Sequence, residues 1–145
     1  MTSHIATKQV ISPREAETIV SSWVTAKILA SSDVSGAEKM SAVSLYFNPG
    51  QGHARHNHPA SEQLIFVIGG GGEMMIEDDA GRLVKTAIGP GSLVTIPRGA
   101  FHSTFNTSWE PLRILAVYSP AGPEEAMRSA DEFTVLAPGV VPNRA

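Results

Sequence analysis

HARHNHPASEQ, residues 53–63, places three of the chain's five histidines within six positions. His56 and His58 are one residue apart, and Glu62 and Gln63 follow closely. Side chains of a strand alternate between its faces, so residues two apart point the same way, about 6.6–6.8 Å apart along the chain. If this stretch is extended, His56 and His58 share a face. Two imidazoles leaning inward from that spacing can meet one ion through bonds of about 2.0–2.1 Å. A His-x-His pair alone is as often a surface pair as a ligand pair. Its weight depends on what the flanking sequence builds around it.

The flanking sequence is a series of short apolar or alternating runs separated by Gly, Pro, Asn and Asp. AVSLYFNPG (42–50) alternates and ends at Pro-Gly, and EQLIFVI (62–68) is a near-continuous apolar run stopped by Gly69 to Gly72. EMMIED (73–78) precedes a turn at Asp78 to Gly81, and RLVKTAI (82–88) leads to Gly-Pro-Gly and then SLVTIP (92–97). FHSTFN (101–106) and LRILAVYS (112–119) complete the series. This punctuation predicts an antiparallel all-β sandwich or barrel. A lone His102 falls in one of the later β segments, where a barrel would carry it toward the His56–His58 pair.

One short helix is expected in SPREAETIVSSW (12–23), where Ser12 can cap, Pro13 suits the first turn and Glu15 can close a capping box. GPEEAMRS (122–129) predicts a second, of one or two turns, and the remainder, with Pro138 and Pro142, reads as an extended tail. No repeat, low-complexity linker or second domain is visible. A single domain over 1–145 is expected, its core at about 40–120 flanked by an N-terminal arm and a C-terminal tail.

Composition narrows the function classes. With 42% hydrophobic and 17% charged residues, the chain can bury a core and is not a disordered polymer. The net charge is -3 and the eleven Lys+Arg are scattered, so no basic stripe for nucleic acid forms. There is no cysteine, which removes disulfides and thiolate metal sites and fits a reducing compartment. No apolar run approaches the roughly 20 residues that span a bilayer. MTSHIATKQV (1–10) lacks the charged-then-apolar layout of a secretion signal. A soluble cytoplasmic protein without nucleic-acid or membrane partners is the expectation.

Two spacings carry a family resemblance. Gly50, five residues, His56, Asn57, His58, three residues, Glu62, six residues, Gly69 resembles the first cupin motif. Gly91, five residues, Pro97, Arg98, Gly99, two residues, His102, three residues, Asn106 resembles the second. The resemblance implies a small jelly-roll barrel, a β-sandwich closed on itself with one or two short helices and a metal near one end of its interior. His56, His58 and His102 would be ligands. Gly50, Gly91 and Gly99 can also be read as turn residues with positive φ, and Pro97 as the end of a strand.

The family motif allows three or four residues before the next ligand. Three gives Glu62 paired with Gly69, and four gives Gln63 paired with Gly70. Many small cupins read E-Q, an apolar strand, then G-x-G-E, and Gly70-Gly71-Gly72-Glu73 matches that pattern, so Gln63 is the preferred ligand and Glu62 its alternative. Only one of two neighbours can face inward. A glutamate lowers the net charge of the site by one, whereas a neutral amide beside three imidazoles leaves the full +2 of a divalent ion. Beyond the metal centre no catalytic residue is assigned, with Glu62 a candidate. His53, three residues before His56, has the wrong parity for a regular strand. A bulge permitted by Gly50 and Gly52 would turn it inward as a further ligand. The alternatives are a solvent-exposed imidazole or a hydrogen bond behind the ligands. His4 is taken as incidental.

Parity from Gln63 makes Ile65 and Val67 inward-facing, and from His102 it makes Thr104 and Asn106 so. Leu45 and Phe47 oppose Tyr46 and Asn48, and Ile114, Ala116 and Tyr118 oppose Arg113, Leu115 and Val117, with either set free to face in. Phe66, Met74 and Met75 are expected to add apolar surface, and Arg55, Arg98 and Glu62 to sit at the rim. For most of these positions ordinary core packing is the better reading.

A greasy cavity with few acids or bases relies on its ion for chemistry. The first functional expectation is an enzyme in which zinc acts as Lewis acid on a carbonyl-rich, largely apolar small molecule. The reaction would be a cyclisation, aldol closure or isomerisation; in size and layout the chain is similar to small cupins that act as cyclases on aromatic polyketide intermediates. Iron, nickel or manganese are further candidates for the ion. The alternatives are an iron-dependent dioxygenase and a non-enzymatic small-molecule binding or sensor protein. A homodimer is expected on the resemblance, with Trp23 and Ile28 in the N-terminal arm able to pair with a second copy. Trp23 can equally cover its own barrel's end.

Overall fold

The computed structural model describes residues 9–143, so His4 lies outside the described residues. Among the described residues there are eleven strands: β1 (Thr18–Val20), β2 (Thr25–Ala30), β3 (Ser41–Phe47), β4 (Gly52–His56), β5 (Glu62–Gly69), β6 (Gly72–Glu77), β7 (Leu83–Ile88), β8 (Leu93–Ile96), β9 (His102–Phe105), β10 (Leu112–Ser119) and β11 (Thr134–Leu136). Two short helices join them, α1 (Ser32–Ser35) and α2 (Pro123–Ser129). One sheet has the order β11-β1-β2-β3-β10-β5-β8 and the other β4-β9-β6-β7. The layers β3-β10-β5-β8 and β4-β9-β6-β7 form an antiparallel jelly roll.

Period-two patterning sets the core. On β5, Gln63, Ile65 and Val67 are buried while Glu62, Leu64, Phe66 and Ile68 are exposed. On β3 the parity resolves in favour of Leu45 and Phe47 inward and Tyr46 outward. On β10, Ile114, Ala116 and Tyr118 face in. With Val43, Met74, Ile96 and Leu112 these side chains fill the space between the sheets, each large one stabilising the fold by about 1.5–3 kcal/mol. Phe66 belongs to the opposite set and is 44% exposed, so it adds no surface to the interior.

The helix expected in 12–23 is confined to a single 3-10 turn, Pro13–Glu15. Its capping box forms, with the Ser12 amide donating to Glu15 Oε2 at 2.7 Å. The chain then turns to strand because the β-branched Thr18, Ile19 and Val20 pair with β2 on one side and β11 on the other. The tail accordingly carries a strand, β11, instead of running free. The segment 122–129 does form α2. It docks through Glu124, whose buried carboxylate accepts from Ser41 Oγ at 2.7 Å and from the Gly122 amide at 2.8 Å. Among the described residues no helix is long and apolar enough to cross a membrane.

Candidate metal centre

The site is assembled where β4 and β9 run side by side. Gly52 lets them approach: a Cβ there would strike the carbonyl of Thr104 and the backbone of Phe105. Along this pair His53 faces Thr104 and His56 faces His102, so two residues of β4, Ala54 and Arg55, oppose Ser103 alone. That is a β-bulge. The extra residue reverses the parity, and His53 and His56 come to the same face although they are three apart.

His58 lies just beyond β4 in a loop tied to the turn before β9. The Gly99 amide donates to the His58 carbonyl at 3.0 Å and Asn57 Nδ2 donates to the Gly99 carbonyl at 3.2 Å. Gly99 has φ +79, as Gly50 (+78) and Gly91 (+86) also take positive φ, and Pro97 follows the last residue of β8.

His56, His58 and His102 each offer a ring nitrogen, and these atoms lie within 4.8 Å of one another. Two of the rings have their outer nitrogens engaged: His56 Nδ1 is 2.7 Å from the Ala54 carbonyl and His102 Nδ1 is 2.9 Å from the Ala100 carbonyl. A carbonyl only accepts, so each Nδ1 carries the proton and each Nε2 keeps its lone pair. His58 Nε2, His102 Nε2 and Gln63 Oε1 are buried and have no hydrogen-bond partner. Ser103 Oγ is likewise without one, but Ser103 lies on the other face of β9.

Electrostatics point the same way. Burial pushes the His56 imidazole down to about 3, with the neighbouring histidines opposing its charge further. Burial and His102 hold His58 at about 4, and burial lowers His102 as well. The three rings are therefore neutral at physiological pH, the form that binds metals. Unpaired buried acceptors are costly and uncommon. Here they belong to imidazoles and an amide, borderline and hard donors that suit a first-row divalent ion or zinc. The donor set fits the metal that the sequence suggests.

The other sequence candidates fall as follows. Gln63 is inward and buried, while its neighbour Glu62 is on the exposed face of β5. His53 is turned inward by the bulge but is outside the three-ring group. It stacks between His56, at 3.4 Å between ring centroids, and Trp23, at 4.3 Å. Burial, with His102 and His58, holds its imidazole at about 4. Trp23 in turn packs on Phe47 and Phe133, covering its own barrel's end, and Ile28 is buried in the core. Arg55 is exposed, its guanidinium 3.8 Å above the Phe101 ring and its Nε 2.7 Å from Glu77. Arg98 is exposed in the turn after β8.

One neighbour was not singled out as a site residue. Tyr118 faces His58 edge-on, 5.2 Å between centroids, and burial together with Glu124 raises its phenol far above the ordinary range, so it keeps its proton. The alternation of β10 was its only signal.

Comparison with known proteins agrees with this architecture. The family described as "Cupin domain" matches residues 44–118. A germin-like protein 9-2 from Oryza sativa subsp. japonica is 26% identical over 100 residues, 69% of this chain and 47% of that protein. Glucose-6-phosphate isomerase from Thermococcus kodakarensis is 33% identical over 73 residues, 50% of this chain and 37% of that protein. The chain thus spans less than half the length of these curated relatives. Among solved structures, Bacillus subtilis oxalate decarboxylase, an enzyme with Mn(II) centres, superposes with a TM-score of 0.73 at 19% identity. The overlap covers 90% of this chain and 32% of that one.

Proposed function

Because this chain belongs to the cupin domain family, we propose that it is a metal-dependent enzyme acting on a carbonyl-rich, largely apolar small molecule. The observation that carries this reading is the grouping of the His56, His58 and His102 ligand atoms within 4.8 Å of one another, with His58 Nε2, His102 Nε2 and Gln63 Oε1 buried and left without hydrogen-bond partners. His56, His58 and His102 would hold a divalent ion, with Gln63 Oε1 as the oxygen donor. Zinc is the first expectation, and the Mn(II) of oxalate decarboxylase keeps manganese beside it, with iron and nickel behind. When bound, such an ion supplies Lewis acidity toward a carbonyl or water oxygen. The name of one relative, glucose-6-phosphate isomerase, supports an isomerisation-type reaction at such a site. Ring closure or aldol chemistry on an aromatic polyketide intermediate uses the same carbonyl activation.

What the chain's own residues contribute can be stated without the ion. The carbonyls of Ala54 and Ala100 fix which nitrogen of His56 and of His102 faces the cavity. The buried apolar core between the sheets, which includes Ile65, Met74 and Ile114, lowers the local dielectric and would strengthen polar contacts made inside it. Tyr118 stays protonated beside His58 and can donate a hydrogen bond to an oxygen there. Glu62, on the outside of β5, is not positioned as an interior acid or base.

Elemental analysis tests this reading. The purified protein is expected to hold close to one equivalent of a transition metal or zinc, and His58→Ala to lose it while its circular dichroism is unchanged. A wild-type protein that stays metal-free after incubation with zinc, manganese and iron would overturn it. Oxygen uptake with substrate, restored by iron and not by zinc, would move the reaction to the dioxygenase class.

A further inference from the structure

The two layers of the barrel end in β7 and β8, and among the described residues these strands do not pair. The seam between them is open, with Val84 51% exposed. One row of inward positions leads from the histidines to this seam. His56 faces His102, His102 faces Ile76, and Ile76 faces Val84, each directly across an antiparallel pair. Residues so paired project from the same face. A cleft of about 650 Å³, within the range of small-molecule sites, lies over Ile76 and Val84; the histidines do not line it, and Ile76 stands between it and His102.

The far wall of the cleft is the 97–101 segment, and it is held in place. Its Gly99 is hydrogen-bonded to the His58 loop, and Phe101 is covered on one face by Arg55. The rim charges largely satisfy one another. Glu77 pairs with Arg55 and Asp78 with Arg82 at 2.9 Å, leaving Asp79 and Arg98, opposite in sign. The cleft therefore offers a ligand apolar area in place of a fixed charge.

We propose that this cleft seats the body of the substrate, and that Ile76 and Val84 select for length. The inference rests on the metal reading above, because it places the reacting oxygen at His56, His58 and His102. Adjacent strands are about 4.8 Å apart, so from His102 to Val84 is about 10 Å. A two-carbon diacid held at the histidines leaves Val84 untouched. A linear fused-ring ketone or phenol of two or three rings reaches it and covers the apolar row.

The test uses cobalt(II)-loaded protein, whose visible bands report ligand binding, and three probes with one chelating group and increasing length: salicylate, 3-hydroxy-2-naphthoate and 3-hydroxyanthracene-2-carboxylate. Affinity is expected to rise about tenfold or more from one ring to three, from buried apolar area. Val84→Asp should flatten the series to within threefold, and Val84→Trp, which fills the cleft, should weaken the three-ring probe alone. Both variants should keep their cobalt and bind salicylate as the wild type does. If all three probes bind the wild type equally, or the series survives in Val84→Asp, the length selection is wrong while the metal reading stands. If the protein takes up no cobalt, the metal reading fails and this inference with it; if cobalt is held but no probe shifts its bands, this inference alone fails.

Discussion

At the residue scale, the account turns on imidazoles kept neutral by their surroundings. His56 titrates at about 3 and His53 and His58 at about 4, against about 6.5 in an unfolded chain. Between those values the unfolded chain binds more protons than the metal-free fold. Stability must therefore rise with pH across that window, be complete above about pH 6.5, and fall as the pH drops through it. Thermal melts of the metal-free protein should show a lower midpoint at pH 5 than at pH 7.5. A His53→Gln, His56→Gln double variant should show a shallower dependence, and an identical slope in both would contradict the assigned environment. The inward position of Gln63 and the outward one of Glu62 were legible from downstream glycines and strand parity. The place of His53 was not, because stacking against Trp23 depends on a residue thirty positions away.

At the element scale, the strands 41–47, 62–69, 72–77, 83–88, 93–96, 102–105 and 112–119 were legible because each is an apolar or alternating run between turn residues. The flanks were not. A capping box at Ser12 and Glu15 is a true helix-start signal, yet only one turn follows, since Thr18 to Val20 gain more from pairing with two neighbouring strands. β11 is three residues long and draws its order from β1, a long-range partner that local sequence cannot announce. The bulge in β4 was readable as a possibility, and the register shift between His53 and His56 fixes it. The close approach of β4 and β9 at Gly52 is what this element needs most. Gly52→Ala is expected to cost about 3 kcal/mol, at the upper end of overpacking effects, and to weaken metal retention, because β4 carries His56 and leads into His58. Chemical denaturation with parallel metal analysis checks both; a neutral substitution would mean that the strands have more room than the structure gives them.

At the scale of the whole molecule, the interior explains the site and the exterior raises the question of assembly. Leu64, Phe66 and Ile68 on β5 and Leu93 on β8 are all exposed on the outer face of the larger sheet. Patches of this kind commonly mark an interface. If the homodimer expected from the family resemblance forms through this face, light scattering will give twice 15.4 kDa, and Phe66→Lys will give the monomer without loss of metal. A monomeric wild type would remove the dimer and leave the centre untouched. The proposed centre is what everything else depends on: a jelly roll that brings His56, His58 and His102 together, where with the Gln63 amide they would hold one cation. X-ray absorption at the metal edge of the loaded protein examines that directly. The expected spectrum shows three imidazole nitrogens and at least one oxygen at about 2.0–2.2 Å. A shell of water and carboxylate oxygens with no imidazole scattering would contradict it.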